Sequence, residues 1–219
     1  MNENFNIEII GGFQQSFDNL CLQILHEGYE FMLTTNRHQT IWAEESLTAH
    51  YYWCLNQIDL HVDWKVSIRC EVRQYNENHI FDGFSAKSAP RIDMELSRWD
   101  ARKELFFRVE AKVLFENDKI LPSGSKTKAA TGHERYIETG VEHFLNGHYP
   151  LPGCLVGYVV EGDTQKILHS INGLLITKGL SPRVGTIQQK KAIIYPELYY
   201  STNQVASTPI ILHHFMLKF

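Results

Sequence analysis

The sequence predicts an α/β (α+β) fold, a central mixed β-sheet flanked by helices. Three observations predict it. The first sixty residues place apolar side chains at helical spacing. From residue 66 to residue 115, apolar and polar residues alternate as they do along strands. Beyond residue 133 the patterns take turns: a helical stretch, the apolar run CLVGYVV, a second helical stretch, then late strand-like runs.

Residues 13–33 read as a helix with Phe17, Leu20, Cys21, Ile24, Leu25 and Phe31 at recurring positions and Gly28 as a weak point. The polar run 34–38 breaks it. A second helix is expected over 39–60, with Leu47, Tyr51, Cys54 and Ile58 as its inner stripe. At about 100° per residue, Glu44 falls on or beside that stripe and Glu45 falls away from it. A carboxylate on the buried side of a helix requires a partner. Residues 66–75 read as a strand, and a short segment at 80–84 leads into a turn at 85–90.

Residues 91–115 (RIDMELSRWDARKELFFRVEAKVLF) read as a β-hairpin bent at 99–103. Phe107, Val109, Ala111, Val113 and Phe115 form one apolar face, with Arg108, Glu110 and Lys112 opposite. A bend centred between Ala101 and Arg102 pairs Glu95 with Arg108, Asp93 with Glu110, Met94 with Val109 and Ile92 with Ala111. The stretch 117–132 is rich in small and basic residues and is expected to be a mobile surface loop. A helix over 134–145 stops at Asn146-Gly147. A strand at 154–160, a turn at 161–163, and a helix capped by Asp163 or Thr164 and running to about residue 178 follow. Residues 190–195 and 210–219 read as late strands bounded by Pro196 and Pro209, with an edge position for at least one of them. No linker divides the chain, so residues 1–219 are expected to form one domain.

The 219 residues suffice for one well-buried core. The hydrophobic fraction of 43% and charged fraction of 21% are those of a soluble globular protein. A formal net charge of -4 argues against a generic nucleic-acid coat but is compatible with a local basic groove. The start, MNENFNIEII, has no basic region followed by an apolar core, and no run is long enough to span a bilayer. The four cysteines lie apart, inside apolar patterns, and are expected to be reduced and buried in a cytoplasmic protein.

The chemistry sits on the hairpin. Asp93 facing Glu110 is repulsive unless a cation lies between them, and two hard oxygen ligands with room for water suit Mg2+ or Mn2+. Such an ion polarises a phosphate and lowers the pKa of a water. Lys112 shares a face with Glu110, where it would orient or deprotonate the water or stabilise charge on the phosphate. Alternating charges on a strand also mark an ordinary solvated face. The conjunction with Pro90-Arg91-Ile92-Asp93 and an inward Glu44 is what favours a site.

In this order — a helix with Glu44, a strand, a strand with Asp93, a strand with Glu110-Ala111-Lys112, then a helix and a strand — the chain resembles the PD-(D/E)xK nuclease superfamily. The resemblance covers residues 39–160, leaving the N-terminal helix 13–33 and the strands of 190–219 as additions to a restriction-endonuclease-like core. It implies Asp93, Glu110 and the carbonyl of Ala111 as metal ligands and Lys112 as the catalytic lysine. Glu44 matches the first-helix acid, with Glu45 as the alternative. Here Pro90 and Asp93 are separated by two residues, whereas the motif's name has them adjacent. The function implied is a magnesium- or manganese-dependent nuclease acting on DNA, in restriction or phage defence, with a homodimer to cut both strands. Lys126, Lys128 and Arg135, beside His133, are the expected phosphate contacts. A non-catalytic binding or regulatory module of the same fold is the competing reading, and a metal-dependent phosphohydrolase of small molecules a third. His213-His214 lies on a strand, where neighbours point to opposite faces and do not share a metal. Tyr136, Gly140, Phe144, Gly147 and Tyr149 read as packing and turn residues.

Overall fold

The computed structural model describes residues 3–75, 85, 87, 89–100, 103–120, 126–189 and 195–219. Helix α1 (Glu3–Thr35) starts ten residues earlier than the periodicity suggests and ends where Asn36 takes a φ of 46°. Phe17, Cys21, Ile24, Leu25 and Met32 form its buried stripe. Gly28 is not a weak point. A Cβ there would lie 2.4 Å from Leu55 Cδ2, so glycine is what allows α1 to approach the next helix. That helix, α2 (Glu44–Leu55), is shorter than the expected 39–60. Trp42 donates its backbone N–H to Gln39 O in a turn at 3.0 Å, and Ala43 is extended, so the helix begins only at Glu44. A single turn, α3 (Leu60–Asp63), follows.

The strands are β1 (Ser67–Arg73), β2 (Arg91–Asp100), β3 (Lys103–Phe115), β4 (Lys119–Ile120) and β5 (Lys126–Thr127). Helix α4 (Ala129–Arg135) continues through π-helical turns at Tyr136–Val141 into α5 (Glu142–Leu145). Then come β6 (Gly153–Glu161), α6 (Thr164–Thr177), β7 (Gln188–Gln189), β8 (Leu198–Val205) and β9 (Thr208–Lys218). Seven strands form one sheet in the order β1-β2-β3-β6-β9-β8-β7. The β3–β6 and β6–β9 pairs are parallel and the others antiparallel, so the sheet is mixed.

Helices cover both faces. On one, α1 and α2 pack on Met94, Leu96, Phe107, Val109 and their sheet neighbours. On the other, the α4–α5 segment and α6 pack on Leu114, Leu155, Val159 and Met216. Strand β6 lies mid-sheet and is buried on both faces, which is why its sequence is a continuous apolar run. Among the described residues no helix is long and apolar enough to cross a membrane. The cysteines are free thiols, with Cys21, Cys54 and Cys154 buried and Cys70 half-buried.

Several expectations change. In the stretch 117–132 the described residues include β4 and β5, which pair, and α4 begins at Ala129 rather than residue 134. Strand β9 starts before Pro209 and sits between β6 and β8, so of the two late strands only the one expected at 190–195 is left for an edge position. Strand β8 was not expected at all. Segments 80–84 and 190–194 lie outside the described residues. Of the two proposed caps, Asp163 serves: its Oδ1 accepts the N–H groups of Gln165 and Lys166 at 2.9 and 3.1 Å. Asp163→Ala is therefore expected to lower the unfolding free energy by about 1 kcal/mol, read from the urea midpoint. An unchanged midpoint would show that the cap is dispensable.

Candidate metal centre

The hairpin pairs as the alternation dictates, from Asp100 with Lys103 through Glu95 with Arg108 to Met94 with Val109. There the ladder stops. One step further, the β1–β2 pairing skips Glu71 and Asp93, and Glu71 has a φ of 55°. The alternation breaks at that step. Ile92 packs in the core beneath the α4–α5 segment, whereas Met94 and Ala111 lie in the core beneath α1 and α2. The expected Ile92–Ala111 pair is thus absent. Asp93 stands opposite Glu110 by count but outside the ladder. Its Oδ2 accepts the backbone N–H of Ala111 at 2.7 Å, a donor left without a strand partner where β2 parts from β3.

The charged face of β3 is not solvated. Arg108, Glu110 and Lys112 are all buried. The segment after α5 covers this face: Arg108 reaches Pro150 O, and Tyr149 donates its hydroxyl to Arg91 O at 3.1 Å. Arg108 is neutralised by Glu95, 3.3 Å away, which also holds Arg69 at 2.9 Å.

Lys112 is the hub of the site. Its Nζ donates to Glu110 Oε1 at 2.6 Å, to Ala111 O at 2.7 Å and to Glu44 Oε1 at 3.3 Å. Glu44, the first residue of α2, is anchored by the Val113 N–H, which donates to its Oε2 at 3.2 Å. Glu45 is exposed, so the helix phase selects the acid that the structure brings in. Two carboxylates, Glu44 and Glu110, thus hold one ammonium, and the charge of Asp93 also acts on it. Burial pushes Glu110 up to about 7, helped by the charges of Asp93 and Glu44 and opposed by Lys112. Burial also raises Asp93, against the pull of Lys112 and the Ala111 N–H. For Lys112, burial favours the neutral amine, but the charges of Glu110, Glu44 and Asp93 outweigh it, and the ammonium is held above its ordinary value.

One oxygen is left over. Glu110 Oε2 is buried and has no hydrogen-bond partner among the described residues. Tyr149, whose phenol is raised by burial, by the charges of Glu110 and Asp93 and by a side-chain hydrogen-bond approach to Glu110, donates its hydroxyl to Arg91 O. His143 also borders the site. Its Nδ1 is buried and unpartnered, and burial, His148 and the Lys112 charge hold its ring below the ordinary value. Sequence reasoning read Tyr149 as packing and did not single out His143. No local signal marks either, because His143, within α5, and Tyr149, in the α5–β6 connection, arrive through the fold.

A cleft of about 320 Å3 opens beside Glu44, lined in part by Ile41, Trp42, Lys119 and Arg135. Arg135 lies 3.7 Å from Glu44 Oε1. Of the other expected phosphate contacts, Lys126 pairs with Asp118 at 3.1 Å and Lys128 is exposed just before α4. His133 cannot serve: it is buried between Ser170 Oγ and Phe115 O, at 3.0 Å from each. His214 is likewise structural. Its ring lies between Tyr136 and Ser201 at 2.8 and 2.9 Å, and burial drives it down to about 3. Among the described residues, three His, Cys or carboxylate ligand atoms come within 4.8 Å of one another at His26, Glu30 and Glu197, away from the hairpin. Comparison with family models, curated proteins and solved structures gave no match.

Proposed function

We propose that this chain is a divalent-metal-dependent nuclease of the PD-(D/E)xK type, hydrolysing phosphodiester bonds of DNA. The observation that carries the reading is the buried Oε2 of Glu110, without a hydrogen-bond partner among the described residues, on a carboxylate that shares Lys112 with Glu44 and stands beside Asp93. A buried carboxylate oxygen without a donor is costly unless a cation takes it. Asp93, Glu110 and the carbonyl of Ala111 offer an all-oxygen donor set, which fits Mg2+ or Mn2+. The ammonium of Lys112, on Glu110 Oε1 and Ala111 O, already draws two of these ligands around positive charge. When bound, the ion would polarise a phosphoryl oxygen and lower the pKa of a water.

The chain's own residues divide the remaining work. Lys112 is held protonated, so at neutral pH it is a fixed positive charge facing the phosphate rather than a base. Glu44 and Glu110 hold that ammonium in place, and Val113 N–H holds Glu44. Asp93 is fixed by Ala111 N–H. The cleft beside Glu44 would receive the strand, with Arg135 and Lys119 at its wall.

The test is supercoiled plasmid with Mg2+ or Mn2+, beside Asp93→Ala. Wild type is expected to nick or linearise the plasmid and Asp93→Ala to lose that activity by at least about 100-fold. Equal cleavage by both would remove Asp93 from the site, and no cleavage with either metal would favour the non-catalytic module.

A further inference from the structure

We infer that His26, Glu30 and Glu197 form a second metal site, for a zinc-class divalent cation, which ties α1 to the start of β8. Two observations converge. The ligand atoms of the three residues all lie within 4.8 Å of one another. His26 and Glu30 are four residues apart on one helix face, the spacing at which a helix presents two ligands to one ion. Glu197 comes from the segment just before β8, across from α1.

The second observation is a hydrogen bond that fails to form. His26 Nδ1 and Glu197 Oε2 face each other at 3.4 Å, yet both atoms are buried without a hydrogen-bond partner among the described residues. A charge-assisted contact of this kind closes to about 2.7–2.9 Å when a proton is shared. The same distance matches metal geometry. Ligands bonded to zinc at about 2.0–2.1 Å in a tetrahedron stand about 3.4 Å apart. The pair is therefore spaced as two ligands of one ion rather than as donor and acceptor.

The donor set also selects the metal. One imidazole nitrogen and two carboxylates suit Zn2+ better than Mg2+, which prefers oxygen ligands and keeps its waters. The His26 ring is steadied by Tyr195, 4.6 Å away between centroids. Glu30 is exposed, so the remaining position faces water. This site shares no residue with the hairpin and does not depend on the chain's being a nuclease.

The experiment uses the full chain after chelator treatment. Zn2+ is titrated calorimetrically into wild type, Asp93→Asn, His26→Gln, Glu197→Gln and Glu30→Gln, and Co2+ is added as an optical probe. One Zn2+ per chain is expected in wild type, retained in Asp93→Asn. Affinity is expected to fall by at least about 10–100-fold in His26→Gln and Glu197→Gln, since even outer-shell changes bring such losses. Co2+ in wild type should show the intense visible bands of a tetrahedral site, absent from His26→Gln. Because Glu30 is exposed, its variant keeps the fold and carries the test if the other two unfold. Undiminished Zn2+ affinity in folded Glu30→Gln and His26→Gln, or no Zn2+ binding by wild type, would overturn the proposal.

Discussion

Lys112→Ala is expected to cleave DNA about 100- to 1,000-fold more slowly than wild type at saturating Mg2+. The ammonium is buried and bonded to Glu110, Ala111 O and Glu44, so no neighbouring lysine can swing in to replace it. Arg135 is exposed and stands 3.7 Å from Glu44 Oε1, the oxygen that also takes Lys112. A charge that acts on the reacting phosphate lowers kcat and kcat/KM together when removed. Single-turnover cleavage of a labelled duplex measures this directly. The variant must be assayed folded, because without the ammonium three carboxylates face one another. Protons then take its place, so Lys112→Ala should be more stable at pH 6 than at pH 8 by urea denaturation. Cleavage within a fewfold of wild type in folded Lys112→Ala would make the lysine a structural counter-ion and nothing more.

What the sequence makes legible here is what short-range periodicity controls. The alternation of residues 91–115 gives the pairing of Glu95 with Arg108 and places Glu110 and Lys112 on one side of β3, as found. The helical phase of α2 separates Glu44 from Glu45 for the same reason: three or four residues suffice to set a face. Where the reading fails, a distant part of the chain decides. The face with Arg108, Glu110 and Lys112 resembles a solvated one until Tyr149 and Pro150 close over it. Strand β8 escapes notice because its inward residues Ser201 and Asn203 are polar. They are tolerated only because His214 and Asn203 satisfy Ser201, and Gly185 N–H satisfies Asn203. Ile92 turns to the opposite core at the Glu71 step, where a non-glycine residue adopts a left-handed φ that no propensity anticipates. The cluster of His26, Glu30 and Glu197 shows in the sequence only as a His and a Glu four residues apart, since Glu197 joins them only through the fold.

Metal binding at the hairpin should be governed by one proton. Glu110 is raised from 4.5 to about 7, so near neutral pH the buried carboxyl is partly protonated. A metal ligand must lose that proton. Mn2+ affinity is therefore expected to fall about tenfold per pH unit below about 7 and to level off above it. The stability of the metal-free chain runs the opposite way. A folded pKa above the unfolded one means that the folded state takes up the extra proton between about 4.5 and 7. This group's contribution to stability is full below about pH 4.5 and is lost as pH rises through about 7. Mn2+ should thus raise the melting temperature most above pH 7, where the ionised, unpartnered Oε2 most needs a cation. Calorimetry at pH 6 in two buffers of different ionisation enthalpy should show close to one proton released per ion bound at this site, with the His26 cluster disabled by His26→Gln. In Glu110→Gln, binding should weaken and the proton release should vanish, because the amide has nothing to titrate. Release near zero in the chain that retains Glu110, with affinity independent of pH, would mean that the ion does not displace the Glu110 proton and that Glu110 is not its ligand.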